Sequence, residues 1–247
     1  MSVSWNARSG LPTGVLVVPI VRNPAGVLAL AARSAHELSD GSFVLGLGSG
    51  SVTEKPIRAV REYVEEVRTI APSLPIAIGA LGPQMLRLAS THARAAALNW
   101  CTPEQVAWSR AQTGPGTRLI EYIRVSVDDD VAAARLALAK QILAYALVAR
   151  PSGAHGYRAH FERMGFGAEL AELDARKASG AHDDELARTM PERLVRSVGY
   201  YGTGADGPET FARLASGLDV AIVRVLNPRP GDPRPVRRAI EAFAPTR

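Results

Sequence analysis

The chain has 247 residues, 47% of them apolar, a net charge of +5 and a single cysteine. This length suits one large α/β domain, and the lone Cys101 excludes an internal disulfide and a thiolate metal cluster. The basic residues are scattered and not interleaved with aromatic residues, so nucleic acid is not an expected partner. The sequence has neither a membrane-length apolar run nor a signal-peptide core at its start, so we expect a cytoplasmic protein without a membrane partner.

Short apolar runs alternate with helical patterns along the whole chain. Strands are predicted at Thr13–Pro19, Phe43–Leu47, Ile76–Ile78, Ala95–Trp100, Arg118–Val127 and Asp219–Leu226. The first run is continuously apolar, which is typical of a strand buried on both faces. Strands separated by helices need crossover connections, so the pattern predicts α/β architecture with a parallel sheet. We expect a (β/α) barrel, with an open doubly wound sheet as the alternative; the six predicted strands are two fewer than a complete barrel has.

Helical patterns fill the spaces between these strands. Helices are predicted at 24–38, from Pro56 onwards, after Pro83, after Pro103, at 131–149, at 168–177, at 184–198 with a break at Pro191, after Gly207, and at the C-terminus. The segment 151–167 is predicted to be irregular. Ser51 and Glu54 have capping-box spacing, as do Thr102 and Gln105. The triplet Asp128–Asp130 is interpreted as a helix cap in preference to a metal cluster.

Two glycine-rich loops follow predicted strands and precede predicted helices, at Gly46–Ser51 and Gly79–Pro83. Free N–H groups and the helix dipole make such positions favourable for a phosphate or another anion. The simpler alternative is that glycine fits a tight turn between a strand and a helix. The first loop is not a dinucleotide fingerprint, because Ser51 stands where the third glycine belongs, and no Gly-Lys-Ser/Thr follows to make a P-loop.

No residue pattern in the sequence indicates an acid–base or nucleophilic centre. His155 and His160 lack a zinc-binding frame, Cys101 is interpreted as a buried bystander, and no serine occupies a nucleophile elbow with a triad. No metal site and no catalytic residue are therefore predicted. Such a sequence is typical of an enzyme in which a cofactor supplies the chemistry.

Three segments resemble a known family in order and spacing. TGVLVVPIVRNP, ELSDGSFVLGLGSGS and IAIGALGPQMLRLASTHARAAALNW are similar to the bacterial luciferase-like superfamily, in particular the branch that contains methylenetetrahydromethanopterin reductase and coenzyme F420-dependent oxidoreductases. The similarity is strong from about Leu11 to Pro103, and YRAHFERMGFG at Tyr157–Gly167 and the final strand also fit.

The resemblance implies a TIM-type barrel that binds a flavin or deazaflavin at the C-terminal ends of its strands. It places a non-prolyl cis peptide at Gly14–Val15, and it puts Asn99 and Trp100 at the end of a strand on the binding face. The implied cofactor-binding residues are Gly14, Val15, Gly48, Ser49, Gly50, Gly79, Ala80, Leu81, Gly82, Pro83 and Asn99.

Family barrels carry about two βα units before the strand that matches Thr13–Pro19. The resemblance therefore implies a (β/α)8-type barrel that lacks its first two βα units, as a single shortened domain over residues 1–247. The open strand edge could be covered by a second chain, and dimers are common in the family. The implied function is an F420-dependent oxidoreductase that transfers a hydride to or from a small organic substrate. The alternatives are an FMN-dependent monooxygenase and a truncated, inactive flavin- or partner-binding protein.

Overall fold

The computed structural model describes residues 9–147 and 156–244. The strands β1 to β7 are Thr13–Pro19, Phe43–Gly48, Ile76–Gly79, Ala95–Asn99, Arg118–Val127, Gly199–Gly202 and Val220–Leu226. The helices α1 to α11 are Ala25–Glu37, Pro56–Ile70, Pro83–His92, Pro103–Thr113, Val131–Ala146, Gly156–Arg163, Gly167–Ala178, Asp183–Arg188, Glu192–Ser197, Gly207–Leu214 and Arg234–Ala242. The alternation of strands and helices confirms the predicted α/β class.

The chain groups into two compact units. The first unit contains Met1–Leu98 and Ser109–Ile120, and the second contains Asn99–Trp108 and Glu121–Arg247. Strand β5 begins in the first unit and continues into the second. The expectation of one domain over the whole chain stays a prediction, and the two units are described separately below.

The sheet of the first unit runs in the order β1-β2-β3-β4 and ends on the start of β5. The pairs β1–β2, β2–β3 and β3–β4 are parallel, with Pro19 opposite Gly48 and Gly79 opposite Ala97. Because parallel strands end at the same edge, the segments that follow β1, β2 and β3 leave one edge of this sheet together. The two predicted glycine loops therefore share that edge.

Strand β1 differs from the prediction that it is buried on both faces. Val15 is 41% exposed and Val17 is 38% exposed. The reason is the position of β1 in the sheet, because within the first unit it pairs only with β2 and so lies at an edge. A continuous apolar run indicates a strand but does not show which neighbours cover it.

The second unit is built on the remainder of β5, which pairs with β6 in parallel and also with β7. Strand β6, with the sequence GYYG, was not predicted, so the described residues hold seven strands where six were expected. Four residues with glycine at both ends carry no periodic signal. A Cβ added at Gly199 would lie 2.9 Å from Leu138 Cδ1, so glycine lets helix α5 pack directly on this strand.

The main core of the second unit lies among helices α5 to α9. Leu138, Phe161, Leu170 and Leu194 are each fully buried in it. Helix α6 corrects the prediction of an irregular segment at 151–167, of which residues 151–155 lie outside the described part of the chain. The predicted break at Pro191 is confirmed, because α8 and α9 are separate helices.

The helix caps agree in part with the sequence. Asp130 accepts a hydrogen bond from the Ala133 N–H at 3.1 Å, so the predicted cap of α5 is confirmed, although its predicted end at Ala149 lies outside the described residues. Thr102 accepts from the Gln105 N–H at 3.3 Å, as expected. The capping box predicted at Ser51 is wrong, because α2 begins at Pro56 after Lys55, which has a left-handed conformation with φ 46° and no side-chain cap.

Candidate functional site

The predicted glycine edge lies in the first unit, where the side chain of Val17 meets the ends of β2 and β3. A Cβ added at Gly48 would lie 2.9 Å from Val17 Cγ2, and one added at Gly79 would lie 3.4 Å from Val17 Cγ1. Val17 therefore packs across both strand ends while remaining 38% exposed. The structure thus brings the ends of β1, β2 and β3 together around one partly exposed apolar side chain.

Close packing between β1 and β2 requires glycine at Gly14 in β1 and at Gly46 in the first loop. A Cβ added at Gly14 would lie 2.7 Å from Val44 O, and one added at Gly46 would lie 2.6 Å from Val15 O. Gly50 has φ +58°, a conformation that favours glycine, and a Cβ there would lie 2.6 Å from Pro19 Cβ. Packing between strands therefore accounts for Gly14 and Gly46, and the local backbone conformation accounts for Gly50. Cofactor binding by Gly48, Ser49 and Gly50 stays a prediction.

The non-prolyl cis peptide bond occurs at Leu16–Val17, so its predicted position at Gly14–Val15 is wrong. The pairing register between β1 and β2 shifts between Val15 and Val18, so the irregular part of the strand lies around this bond. The residues from Val15 to Val18 are uniformly apolar, and the sequence therefore carried no signal for the exact position.

The second glycine loop offers an open helix N-terminus. Ala80 donates its N–H to Ala97 O at 3.0 Å and is 2% exposed, so this end of the loop is fixed to the sheet. Gly82 is the N-cap of α3, has extended φ −109° and ψ 164°, and makes no side-chain cap. A Cβ added at Gly82 would meet no atom within 4 Å. Leu81 precedes this residue and Pro83 begins the helix.

This arrangement fits an anionic group. The first turn of α3 has no acidic side chain, and its leading N–H groups have no intrahelical partner. The positive end of the helix dipole favours a negative charge there by about 0.3–1 kcal/mol at an exposed site. The open space above Gly82 lets a ligand approach the backbone closely. Of the two predicted loops, the second is therefore the better candidate for holding a phosphate.

A separate polar cluster lies in the second unit around the residues that end β4. Trp100 is fully buried and has a left-handed conformation with φ 58°. Its carbonyl oxygen accepts from His160 Nε2 at 3.1 Å, and the Cys101 N–H donates to Glu121 Oε1 at 2.8 Å. We call Asn99–Cys101 the β4 turn. His160 and Glu121 hold it from two sides.

The two groups that hold the β4 turn have pKa values shifted in opposite directions. Burial raises the pKa of Glu121 to about 7, and its Oε2 atom has no hydrogen-bond partner among the described residues. Burial also lowers the pKa of His160 to about 4, and the charge of Arg163 adds to this. Arg163 Nη2 lies 3.2 Å from His160 Nδ1, and an arginine can only donate. His160 is therefore neutral, with its proton on Nε2.

Arg124 contributes a buried guanidinium to the same cluster. It is 1% exposed, and its guanidinium carbon lies 3.9 Å from the centre of the Trp100 ring. It donates to Asn99 Oδ1 and, at 3.0 Å, to Tyr122 O. Burial lowers the pKa of Arg124, and the charge of Arg224 acts in the same direction. A buried guanidinium over an aromatic face is stabilised by a cation–π interaction of about 2 kcal/mol when it is desolvated.

Asn99 and Tyr157 form the more exposed end of this cluster. Asn99 Nδ2 donates to the Tyr157 hydroxyl oxygen at 2.6 Å, and both residues are half-buried. The Tyr157 ring packs edge-on against Tyr145, with the ring centres 4.7 Å apart. Burial raises the pKa of Tyr157, so its hydroxyl stays protonated at neutral pH.

No family model matches the sequence. Two curated relatives are named 5,10-methylenetetrahydromethanopterin reductase. The one from Archaeoglobus fulgidus is 28% identical, and the match covers 54% of this chain and 54% of the relative. The one from Methanolobus tindarius is 24% identical, and the match covers 90% of this chain and 78% of the relative. The chain thus matches about half the length of the first relative.

Solved structures with a similar fold carry related names. The coenzyme F420-dependent tetrahydromethanopterin reductase from Methanopyrus kandleri superposes with a TM-score of 0.68 at 15% identity, over 96% of this chain and 84% of that chain. An F420-dependent secondary alcohol dehydrogenase superposes with a TM-score of 0.64 at 12% identity, over 99% of this chain and 84% of that chain. A Pseudomonas putida Baeyer-Villiger monooxygenase in complex with FMN superposes with a TM-score of 0.56 at 13% identity, over 94% of this chain and 78% of that chain.

The predicted resemblance to the luciferase-like, F420-dependent branch is confirmed. The TIM-type fold is confirmed with it, as an incomplete barrel whose described strands number seven. The names of these proteins agree with the predicted class of enzyme, an oxidoreductase, and with F420 as the cofactor. The FMN complex agrees with the alternative cofactor.

Two expected absences concern the described residues alone. Within 9–147 and 156–244, no group of three or more His, Cys, Asp or Glu residues could hold a metal ion. Asp128 pairs with Arg229 at 2.7 Å, which agrees with a structural role for the aspartate triplet. No described helix is both long enough and apolar enough to cross a membrane.

Sequence reasoning singled out Asn99 and Trp100 but missed the other functional residues of the polar cluster. Glu121 and Arg124 stand within an apolar strand, and a charged residue there was the available signal. Tyr157 and His160 belong to the segment that was interpreted as irregular. Cys101 was expected to be buried, which is confirmed at 4% exposed; burial raises the pKa of its thiol well above the ordinary value.

Proposed function

We propose that this protein is a coenzyme F420-dependent oxidoreductase that transfers a hydride between the deazaflavin and a small organic substrate. The observation that carries the proposal is that the sequence is similar to methylenetetrahydromethanopterin reductases, while the fold is similar to a coenzyme F420-dependent tetrahydromethanopterin reductase. The open N-terminus of α3 supports it, because a phosphate-bearing cofactor needs such a site.

The residues assigned to the cofactor fall into two groups. Gly82 and Pro83, with the first N–H groups of α3, would hold the anionic part of the cofactor. Val17, over the strand ends at Gly48 and Gly79, would give an apolar surface for a flat ring. The roles of Gly14, Val15, Ser49, Gly50, Ala80, Leu81 and Asn99 belong to the same proposal. When bound, the deazaflavin would supply the hydride chemistry, and the chain would position the reactants and exclude water.

Gly82→Val tests the cofactor site. The new side chain would enter open space, so the fold should be retained, but it would block close approach to the backbone. Loss of one hydrogen bond to a charged group costs about 1.5–3 kcal/mol, so F420 binding should weaken by about tenfold or more. Cofactor affinity would be measured by fluorescence titration of purified protein with F420.

Gly116→Val is the matched control. A Cβ added at Gly116 also meets no atom within 4 Å, and Gly116 lies in a different loop, before β5. This variant should bind F420 like the parent protein. Equal binding by the parent protein and a folded Gly82→Val variant would remove the α3 N-terminus from the site.

An FMN-dependent monooxygenase is the second candidate. The fold likeness to a monooxygenase in complex with FMN favours it. A parallel titration with FMN separates the two proposals, because tight FMN binding without F420 binding would replace the first with the second. Binding of either cofactor without reduction or oxidation of any tested substrate would support a non-catalytic binding protein.

A further inference from the structure

A directed series of hydrogen bonds runs from the buried Arg124 to the half-buried Asn99 and Tyr157 in the second unit's cluster. Arg124 donates to Asn99 Oδ1, and Asn99 Nδ2 donates to the Tyr157 hydroxyl oxygen at 2.6 Å. An arginine has only donors, so the oxygen of the Asn99 amide must face Arg124 and its nitrogen must face Tyr157. The orientation of the amide is therefore fixed by the buried charge behind it.

The direction of these hydrogen bonds determines what Tyr157 offers to a ligand. Its hydroxyl oxygen already accepts from Asn99, so its hydrogen must point elsewhere. Within the described part of the chain, no acceptor pairs with that hydrogen. If the hydrogen bonds ran the other way, with Tyr157 donating to Asn99, an amide nitrogen would lie against the Arg124 guanidinium. Tyr157 therefore presents a hydrogen-bond donor.

The surroundings of Tyr157 restrict the ligand further. The Tyr145 ring lies edge-on to it at 4.7 Å, and the Trp100 ring lies 5.7 Å beyond Tyr145. Arg124 is 1% exposed, so it acts through Asn99 and does not itself reach a ligand. The half-buried end of the cluster thus offers one O–H donor beside aromatic surface. A carbonyl oxygen on an apolar compound matches that combination, because it accepts one hydrogen bond and brings no unpaired donor.

We propose that the Tyr157 hydroxyl donates a hydrogen bond to the carbonyl oxygen of an aldehyde or ketone, and that Arg124 and Asn99 are the positioning residues that aim it. The inference rests on the proposed function only in taking this carbonyl compound as the substrate of the hydride transfer. The binding step itself needs no cofactor.

The test uses acetophenone labelled with ¹³C at its carbonyl group as the probe. The affinity is measured by ligand-observed NMR, and the carbonyl stretching frequency of the bound probe is measured by infrared difference spectroscopy. Tyr157→Phe removes the donor. Asn99→Asp keeps the shape and pairs with Arg124, but its carboxylate accepts the Tyr157 hydrogen and so takes it from the probe.

Both variants should weaken acetophenone binding by about threefold to tenfold, the range of one neutral hydrogen bond. In both, the carbonyl frequency should rise, and the double variant should lose no more than either single one. Tyr145→Phe removes a hydroxyl from the neighbouring ring and should leave the frequency unchanged. Equal frequencies in the parent protein and Tyr157→Phe would overturn the inference, as would failure of the parent protein to bind acetophenone.

A separate F420 titration of the same samples distinguishes the two proposals. If F420 binds but acetophenone shows neither the expected binding nor the expected frequency shift, only the proposed role of Tyr157 is refuted. Failure of F420 to bind, together with the expected infrared shift, removes the proposed oxidoreductase function and leaves a carbonyl-binding site.

Discussion

Glu121 and His160 hold the same turn, and the structure predicts that their effects on stability oppose each other across mildly acidic pH. The folded protein favours neutral Glu121, because burial raises its pKa from 4.5 to about 7. The resulting stabilisation is complete below about pH 4.5 and is lost as the pH rises through about 7. For His160 the pKa falls from 6.5 to about 4, so its stabilisation is complete above about pH 6.5 and is lost as the pH falls through about 4.

Each of these shifts corresponds to about 3 kcal/mol in the free energy of unfolding. Between about pH 4.5 and 6.5 the two contributions change in opposite directions and largely cancel. Replacing one residue should therefore reveal the pH dependence that the other contributes to stability. Glu121→Gln keeps an acceptor for the Cys101 N–H but does not titrate, and His160→Gln keeps a neutral N–H donor for the Trp100 carbonyl.

The assay is urea unfolding at a series of pH values, followed by tryptophan fluorescence. Relative to the parent protein, the free energy of unfolding of Glu121→Gln should rise by up to about 3 kcal/mol as the pH rises from 4 to 8. That of His160→Gln should fall by a similar amount over the same range. Taking the difference from the parent protein removes the contributions of the other carboxylates. Differences that do not change with pH would refute the assigned protonation states.

Two further predictions concern buried groups and close-packed glycines. Arg124→Lys should lower the free energy of unfolding by about 2 kcal/mol, because lysine cannot stack as a plane on Trp100 while donating to Asn99. Urea unfolding measures the loss, and the same change at the exposed Arg118 is the control. Equal losses in the two variants would contradict the role of burial. Gly46→Ala should destabilise the fold by about 1–3 kcal/mol, since its Cβ would lie 2.6 Å from a backbone oxygen; an unchanged thermal midpoint would disprove the close approach.

The architecture could be predicted from the sequence because strands and helices have strong local signals. Continuous apolar runs such as Phe43–Leu47 are too short for a typical helix and so favour a buried strand, and the following Gly/Pro segments mark where each strand ends. Strand β6 had no such signal, because GYYG has neither length nor alternation. The exposure of β1 depends on its place in the sheet, which a local pattern does not contain.

The candidate site was predictable only where it depends on loop position. The glycine edge follows from the parallel order of β1 to β3, so Gly48 and Gly79 lie at the same edge, both against Val17. That most first-loop glycines serve packing, whereas Gly82 faces open space, required the three-dimensional arrangement. The polar cluster joins residues far apart in sequence, such as Asn99 and Tyr157, and only tertiary contacts bring them together.

The proposed function requires that this chain bind coenzyme F420 for hydride transfer. The most direct measurement is a fluorescence titration of the purified protein with F420, with FMN titrated in parallel under the same conditions. We predict saturable F420 binding that is tighter than any FMN binding and that weakens in Gly82→Val but not in Gly116→Val. Tight binding of FMN with none of F420, or binding of neither cofactor, would contradict it.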